Sequence, residues 1–407
     1  MKKKSLAVGI DVGTYKIGVI VAEVTDGGAE VVGIGTAASK GLKKGVVVNI
    51  DATVEAIRQA VEEAELMAGC EIRSVVAGSA GSHIKGVNSH GVVAVRNREV
   101  TPGDVERVID AARAVALPTD REILHVLPQE FIVDDQDGIR EPVGMAGVRL
   151  EARVHIVNGS IGSGRNLIKC CNRAGLHVRD VLAGPIAAAE AVLTPEEREL
   201  GVALVDIGGG TTDVVVYQAS AIRHTAVLPV GGGHVSTDIA AALRTPFAEA
   251  ERLKQRHASA LASVTPHDQM IEVAGLGGRA AQHLSRRALA EVVEPRAEEI
   301  LVLARADIER AVPYGGLASG VVLTGGGAVL EHMVGLAERV FKVPVRLGVP
   351  LHLNGLVDAV ASPMYSTGVG LVLHGLKQDG QGRYGDGVLG QLGAVRERMM
   401  GWLREFF

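Results

Sequence analysis

Carboxylates and hydroxyls flank runs of glycine at two places in this chain, each at the end of an apolar stretch, and that grouping suits the gripping of a phosphate. The longer copy is Val202-Ala203-Leu204-Val205-Asp206-Ile207-Gly208-Gly209-Gly210-Thr211-Thr212-Asp213. It reads as an apolar strand, an acidic glycine-rich turn and a second strand, Val214-Val215-Val216-Tyr217. Gly208, Gly209 and Gly210 carry no Cβ, so backbone N–H groups there can close on phosphate oxygens. Thr211 and Thr212 add hydroxyl donors, and Asp206 and Asp213 are placed to hold a hydrated Mg²⁺ beside the phosphates. A hairpin follows the turn where a P-loop would have a helix, and the P-loop lysine is missing.

The device has an earlier copy. Residues 6–10 form a strand, Asp11-Val12-Gly13-Thr14-Tyr15-Lys16 a turn and residues 17–22 a second strand. A third strand follows each copy, at 30–34 and at 222–228. Two strand–turn–strand–strand units, each with Asp-x-Gly at its first turn, point to a duplicated domain pair with a nucleotide between the halves. Asp11, Gly13, Thr14 and Lys16 then join the second turn at one site, with Asp11 and Asp206 holding Mg²⁺ through water.

Three further segments belong to such a site. Val321-Val322-Leu323-Thr324-Gly325-Gly326-Gly327-Ala328 reads as strand and glycine turn, with a helix from Val329 onward. The turn lets a flat adenine lie against backbone, with the helix N-terminus facing phosphate. Glu251 and Lys254 stand three apart on a predicted helix and can face one ribose; a solvated ion pair is the plainer reading of the two residues alone. Gly231-Gly232-Gly233 offers another close backbone approach near the phosphates.

The elements that must position these turns read as an α/β chain long enough for two or three domains. A composition 47% hydrophobic and 22% charged fits a folded protein and argues against disorder. A formal net charge of −5 gives no basis for a nucleic-acid partner. Cys70, Cys170 and Cys171 form neither a disulfide framework nor a zinc spacing, so the chain reads as reduced and cytosolic. Lys2-Lys3-Lys4 leads straight into a strand without a cleavage site, and no apolar run approaches a membrane span. Helical spacing is predicted over 51–68 with Asp51 as N-cap, over 166–174, over the small-residue run 182–193, through most of 237–313, and over 362–376. Strands are predicted at 74–78, 92–95, 122–127 and 149–156, with a helix starting at Thr101, so that 84–159 reads as a small inserted α/β domain.

Residues 377–390 hold five glycines among polar residues and read as a flexible linker. In the last 17 residues, Leu392, Val395, Met399, Met400, Trp402, Leu403, Phe406 and Phe407 fill an arc of about 160° at helical spacing. Arg398, Arg404, Glu397 and Glu405 oppose them, and Arg396 intrudes on the apolar arc, where it can snorkel. This is the pattern of a helix lying in a membrane interface; a terminal helix docking on its own core is the alternative. The glycine tether and the concentration of aromatics favour the membrane.

The turns at 11–14, 206–213 and 325–328 resemble the phosphate-1, phosphate-2 and adenosine motifs of the actin, Hsp70 and sugar-kinase superfamily. Within it the chain is similar, over nearly its whole length, to the FtsA family of bacterial cell-division proteins. The stretches that carry the likeness are 129–134 (Gln-Glu-Phe-Ile-Val-Asp), 141–151, 294–300 (beginning Glu294-Pro295-Arg296), 345–350 and 362–370, and Glu251 and Lys254 fall on the family's Glu-x-x-Lys pair. Two departures stand out: His257-Ala258 replaces an aromatic-Gly pair at the adenine edge, and Gln218-Ala219-Ser220 lacks the glycine of the hairpin after phosphate 2.

The resemblance implies actin-like, ribonuclease H-like halves with an inserted subdomain and a C-terminal amphipathic helix. It divides the chain into subdomain 1A (1–83 and 160–198), 1C (84–159), 2A (199–236 and 315–376), 2B (237–314), the linker and the membrane-targeting helix (391–407). It further implies ATP and Mg²⁺ as ligands, with at most slow hydrolysis. The implied role is a filament on the cytoplasmic face of the inner membrane at the division septum. There it holds the tubulin-like FtsZ to membrane phospholipids and receives later division proteins on 1C. A small-molecule kinase of the same superfamily and a pilus-assembly actin-like scaffold are the alternatives. An Hsp70-like chaperone would need a substrate domain after residue 376.

Overall fold

The computed structural model describes residues 6–25, 28–275, 280–312, 316–351 and 354–381. The amphipathic helix expected over 391–407 and most of the linker before it lie outside the described residues.

Two sheets share one strand order. In the first, β1 (Leu6–Val12), β2 (Lys16–Thr25) and β3 (Gly28–Ala38) form an antiparallel meander. A small hairpin, β4 (Leu42–Lys43) and β5 (Val46–Val47), and helix α1 (Ile50–Ala68) lead to β6 (Ser74–Ser79), parallel to β1. An inserted unit then follows: β7 (Lys85–Ala94), α2 (Pro102–Arg113), β8 (Arg121–Val133), β9 (Gln136–Ile139) and β10 (Arg149–Ser160). Its own sheet runs β7-β10-β8-β9. Helix α3 (Ile161–Arg173) returns the chain to β11 (His177–Ala183), parallel to β6. Helices α4 (Gly184–Val192) and α5 (Pro195–Leu200) cross to the second half.

There β12 (Val202–Ile207), β13 (Thr212–Gln218) and β14 (Ala221–Leu228) repeat the meander. Helices α6 (Gly232–Leu243) and α7 (Phe247–His257), hairpin β15 (Met270–Val273) and β16 (Gln282–Ser285), and the long α8 (Arg286–Ala311) come next. Strand β17 (Val321–Thr324), α9 (Met333–Phe341) and β18 (Val345–Leu347) complete the second sheet, with β17 parallel to β12 and β18 parallel to β17. Strand β19 (Asn354–Gly355) joins the outer edge of β3, and α10 (Val357–Val360) and α11 (Ser366–Gln381) follow. The first sheet reads β11-β6-β1-β2-β3 before that extra strand, and the second β18-β17-β12-β13-β14. The duplication expected from the two acidic turns is therefore present at the level of the whole sheet.

Several local expectations change. Helix α1 is capped by Asn49, whose side chain accepts from the Ala52 N–H at 3.1 Å. Asp51 sits in the first turn and pairs with Arg173 of α3 at 2.8 Å. Leu182 and Ala183, expected in the small-residue helix, end β11, and only from Gly184 does the chain turn helical. Strand β11 escaped the sequence reading because His177, Arg179 and Asp180 interrupt its apolar pattern. The run expected as mostly helical contains the β15–β16 hairpin. Helix α11 continues through residue 381, into the stretch expected as linker. The start at Thr101 is as expected, with a full capping box to Asp104.

Helices α4 and α11 lie back to back between the halves. Their core joins Ala187, Ala188, Val369 and Leu371 to Ile20 of the first sheet and to Leu204 and Val215 of the second. The approach is close enough that a Cβ at Gly370 would stand 1.7 Å from the Ala187 carbonyl oxygen. Gly370→Val should therefore destabilise the fold by about 3 kcal/mol or more. Urea denaturation of the purified variant checks this, read as a lowered midpoint at unchanged slope.

The inserted unit leans on the edge of the second sheet. Gln129 Nε2 donates to the Ile222 carbonyl at 2.8 Å, and Asn88 Nδ2 to that of Arg223 at 3.1 Å. His155 sits between Asn88 Oδ1 (2.7 Å) and Thr225 Oγ1 (2.9 Å). Gln129 also donates to Asn88 Oδ1, so that oxygen faces Nδ1–H of His155 and Nε2 accepts from Thr225. Burial, with His224 nearby, pushes the His155 pKa down to about 4, so the imidazole stays neutral. The glycine-free turn between β13 and β14 places Ala219 and Ser220 at φ 50° and 59°. Their N–H groups donate to Glu199 and Arg198 carbonyls at 3.1 and 2.9 Å, which holds a conformation that glycine would adopt freely.

Candidate nucleotide site

The two acidic turns face each other across a cavity of about 690 Å³ between the halves. Each turn stands where the first strand of its sheet, β1 or β12, hands over to the second, so the sheet duplication brings them together. Asp11, Gly13, Thr14 and Lys16 line the cavity from one side. Asp206, Gly208, Gly209, Gly210, Thr211 and Asp213 line it from the other, joined by Gly232, Glu251, Lys254, Gly325, Gly326 and Gly327.

Charge is concentrated where water is excluded. Burial lifts the Asp11 carboxyl above its ordinary range, with Lys16 partly offsetting it. Asp206 rises to about 7, through burial first and the neighbouring Asp11 second. Asp213 is pushed well above the carboxylate range by burial and by Asp206, and its Oδ1 is buried without a hydrogen-bond partner. Thr367 Oγ1 donates to Asp206 Oδ2 at 3.2 Å. Lys16 answers these carboxylates; its Nζ also donates to the Met364 carbonyl at 2.9 Å and stands 4.0 Å from the Tyr365 ring centroid. Burial lowers the Lys16 pKa against the pull of Asp11 and Asp206.

This set is short of positive charge and fits a hydrated divalent cation. Asp11 and Asp206 would hold it through water, and the ion would supply neutralisation of phosphate charge. Among the described residues no group of three or more His, Cys, Asp and Glu is arranged to ligate a metal directly.

Glu251 and Lys254 are not the solvated pair of the plainer reading. Their side chains are 22% and 16% exposed, and they meet at 2.8 Å. Burial raises the Glu251 pKa, but Lys254 and hydrogen bonds from Lys254, Ser236 and Gln255 outweigh it and hold the carboxylate below its usual range. Lys254 Nζ also donates to the Gly232 carbonyl at 3.0 Å, tying the pair to the start of α6.

Three expected residues have other duties. Thr212 is fully buried and its hydroxyl donates to the Val230 carbonyl at 2.8 Å, stapling β13 to the end of β14 instead of facing phosphate. Gly231 precedes α6 as its N-cap, and Gly233 lies under the ring of Tyr15. The adenosine turn also differs from expectation. Gly326–Val329 forms a 3-10 turn, and α9 begins only at Met333. Helix α6 opens its N-terminus on the cavity through Gly232, and the first residues of α4 and α9, Gly184 and Met333, line it as well. Gly325 adopts φ 85°, and a Cβ there would meet Asp206 Oδ1 at 2.1 Å, so glycine is required twice over. A Cβ at Gly326 would meet nothing within 4 Å, which leaves that face free for a flat ring. Ala258, Leu330 and Met333 line the apolar end, so the departure at His257-Ala258 puts a methyl group where the family has glycine.

Sequence reasoning passed over Tyr15, Met364 and Thr367 as site residues, although all line the cavity. Thr367 lay within a recognised stretch, but a hydroxyl on a helix carries no signal of where it points.

Comparison with known proteins bears on the whole chain. A family model described as "Cell division protein FtsA" matches residues 203–370, and one described as "SHS2 domain inserted in FTSA" matches residues 81–158. The cell-division protein FtsA of Pseudomonas aeruginosa is 53% identical over 378 residues, covering 93% of this chain and 91% of that one. The chain belongs to the FtsA family. The Escherichia coli FtsA is 41% identical over 99% of both chains, and the Bacillus subtilis FtsA 39% identical over 91% of this chain and 84% of that one. Solved structures share the fold at low identity. The PilM-PilN type IV pilus biogenesis complex aligns with TM-score 0.63 at 15% identity, covering 91% of this chain and 98% of that one. MreB5 of Spiroplasma citri bound to ADP aligns with TM-score 0.56 at 14% identity, covering 94% and 99%. The actin-like fold of this FtsA family member is thus shared with proteins far from it in sequence.

Ionising Asp206 costs the nucleotide-free fold. Because its folded pKa lies above the unfolded value, the stabilisation it gives is full at acid pH and is lost as pH rises toward and through about 7. Asp206→Asn should raise the melting temperature without nucleotide at pH 8, by the equivalent of roughly 2 kcal/mol, and by less at pH 5. Calorimetry of both proteins at the two pH values checks it.

Proposed function

We propose that this chain is an actin-like, ATP-binding cell-division protein. In this reading it polymerises at the cytoplasmic face of the inner membrane at the septum, fixes the FtsZ ring there and receives later division proteins on its inserted subdomain. The observation that carries the nucleotide part is the pairing of the acidic turns across one cavity, with a surplus of buried carboxylates on both walls. Family membership supports the cell-division role. The amphipathic pattern of residues 391–407 supports the membrane part; among the described residues no helix is long and apolar enough to cross a membrane.

In this mechanism Mg-ATP is an assembly ligand. Backbone N–H groups of Gly209 and Gly210 would bind phosphate, while Gly13, Gly208 and Gly232, whose N–H groups donate to backbone carbonyls, would allow close approach. Lys16 would share its charge between phosphate and the carboxylates, and Asp11 and Asp206 would hold the hydrated ion. Glu251 and Lys254 hold the ribose and the adenine edge, and the base lies along Gly325, Gly326 and Gly327. Since ligands come from both halves, binding favours the closed arrangement over the open one, and closure favours the filament. Many weak tail helices on one filament then make a firm anchor. A kinase would need an acceptor pocket with a positioned base.

Two measurements test this. Lys254→Ala should weaken ATP binding about tenfold or more in calorimetric titration, since it removes a charged donor and leaves Glu251 unpaired. In Mg-ATP the full chain should pellet with anionic liposomes, while a chain ending at Gly390 stays in solution. If both behave alike, the anchor role is lost.

A further inference from the structure

Tyr15 stands between Thr14 and Lys16 in the first acidic turn and reaches across the cleft. It leaves the turn between β1 and β2 and lays its ring on the second half. A Cβ at Gly209 would stand 2.3 Å from Tyr15 Cδ2, and one at Gly233 2.2 Å from Tyr15 Oη. Both glycines are therefore the bare seat on which the ring lies. Its neighbour Thr14 does the same at Gly210, where a Cβ would stand 2.6 Å from Thr14 Oγ1. That hydroxyl accepts from the Gly45 N–H at 2.8 Å, which fixes the turn from behind.

The far side of the ring has a partner. Phe247, the first residue of α7, lies with its centroid 6.1 Å from that of Tyr15 at an interplanar angle of 38°. This is within the range of productive aromatic pairs. Tyr217, Phe131 and Phe341 are buried, whereas Tyr15 and Phe247 are 39% and 43% exposed. Two exposed rings in a chain with few aromatics are thus found together, Tyr15 lining the cavity and Phe247 beside it at the start of α7. The core does not need them there; what they cover is the gap between the phosphate turns and the helix that carries Glu251 and Lys254.

We propose that Tyr15 is a strap across the nucleotide cleft, seated on Gly209 and Gly233 and latched by Phe247, that sets how fast a bound nucleotide leaves. The proposal rests on the nucleotide reading of the cavity. A nucleotide held by both halves can depart only when the halves part, and parting them lifts the ring from its glycine seat and from Phe247. Tyr15 is a positioning residue here: it acts on release through the closure of the cleft. The ring does the work, so the hydroxyl is dispensable.

The test is release of a fluorescent N-methylanthraniloyl ADP from the full chain, chased with excess unlabelled ADP in a stopped-flow instrument. Tyr15→Ala should release it about tenfold faster than the parent, and Tyr15→Phe within about twofold of it. Phe247→Ala, a surface change away from the phosphate turns, should speed release about threefold, and the double variant should be no faster than Tyr15→Ala alone. Parental release from a folded Tyr15→Ala overturns the strap, as does Tyr15→Phe releasing as fast as Tyr15→Ala. If Tyr15→Ala fails to fold, parental release from Phe247→Ala overturns the latch. A parent that takes up no labelled nucleotide at all removes the nucleotide reading, and the strap with it.

Discussion

Negative charge buried on both walls of one cleft is the constraint around which this molecule is arranged. Asp11 comes from the first sheet, Asp206 and Asp213 from the second, and burial raises the pKa of each. Bringing them together without water is costly, and Lys16 alone does not balance them. The rest of the architecture holds them in place despite that cost. Apolar strands beneath each turn supply rigidity, and the paired helices α4 and α11 keep the walls in register. Carboxyls arranged in this way fit a cation with its anionic ligand, which would relieve what the fold leaves unrelieved.

The same accounting explains why the departures from regular backbone cluster where they do. Gly325 takes a left-handed conformation with its Cα against Asp206, and Gly209 and Gly233 give up side chains so that a ring can lie on them. At the opposite edge of the second sheet, Ala219 and Ser220 accept left-handed conformations without being glycine, and hydrogen bonds to Arg198 and Glu199 stabilise the turn. The inserted unit braces this region as well, with Arg140 reaching Glu199 at 2.6 Å. Its polar seam with β14 combines a buried, neutral histidine in a hydrogen-bonded chain with the ion pair of Arg223 and Glu130.

Much of the site could be read from sequence because its chemistry is local. Glycine, aspartate and threonine in a fixed order after an apolar run describe a turn completely, and the repeat of that turn implied the doubled sheet. Helical spacing and resemblance together single out Glu251 and Lys254, and both line the cavity. What escaped depends on the third dimension. Thr211 and Thr212 are adjacent and alike, but Thr212 opens β13 and its hydroxyl goes to Val230, while Thr211, still in the turn, lines the cavity. Tyr15 carries no signal of its own between Thr14 and Lys16, because its glycine seat comes from the other half of the chain. Strand β11 was hidden because an edge strand tied to α11 carries polar residues, and the β15–β16 hairpin because four-residue strands leave little periodicity to find.

The last described turns of α11 deserve a mechanical reading. His374 meets Asp180 at 2.9 Å, Gln378 also donates to Asp180, and Lys377 pairs with Glu190. All three bolts run to β11 and α4, and none to the second sheet. A pull applied at the C-terminal end of this helix is therefore borne by the first half of the molecule. The second half, with α6, α7 and α8, takes up that load further from the helix end, through the α4–α11 pair, the bonds of Ser366 to Thr324 and Thr367 to Asp206, the seam with the inserted unit and the contacts across the cleft. Tension along the chain would then be felt as torque on the cleft, which makes the nucleotide a strut as well as a ligand.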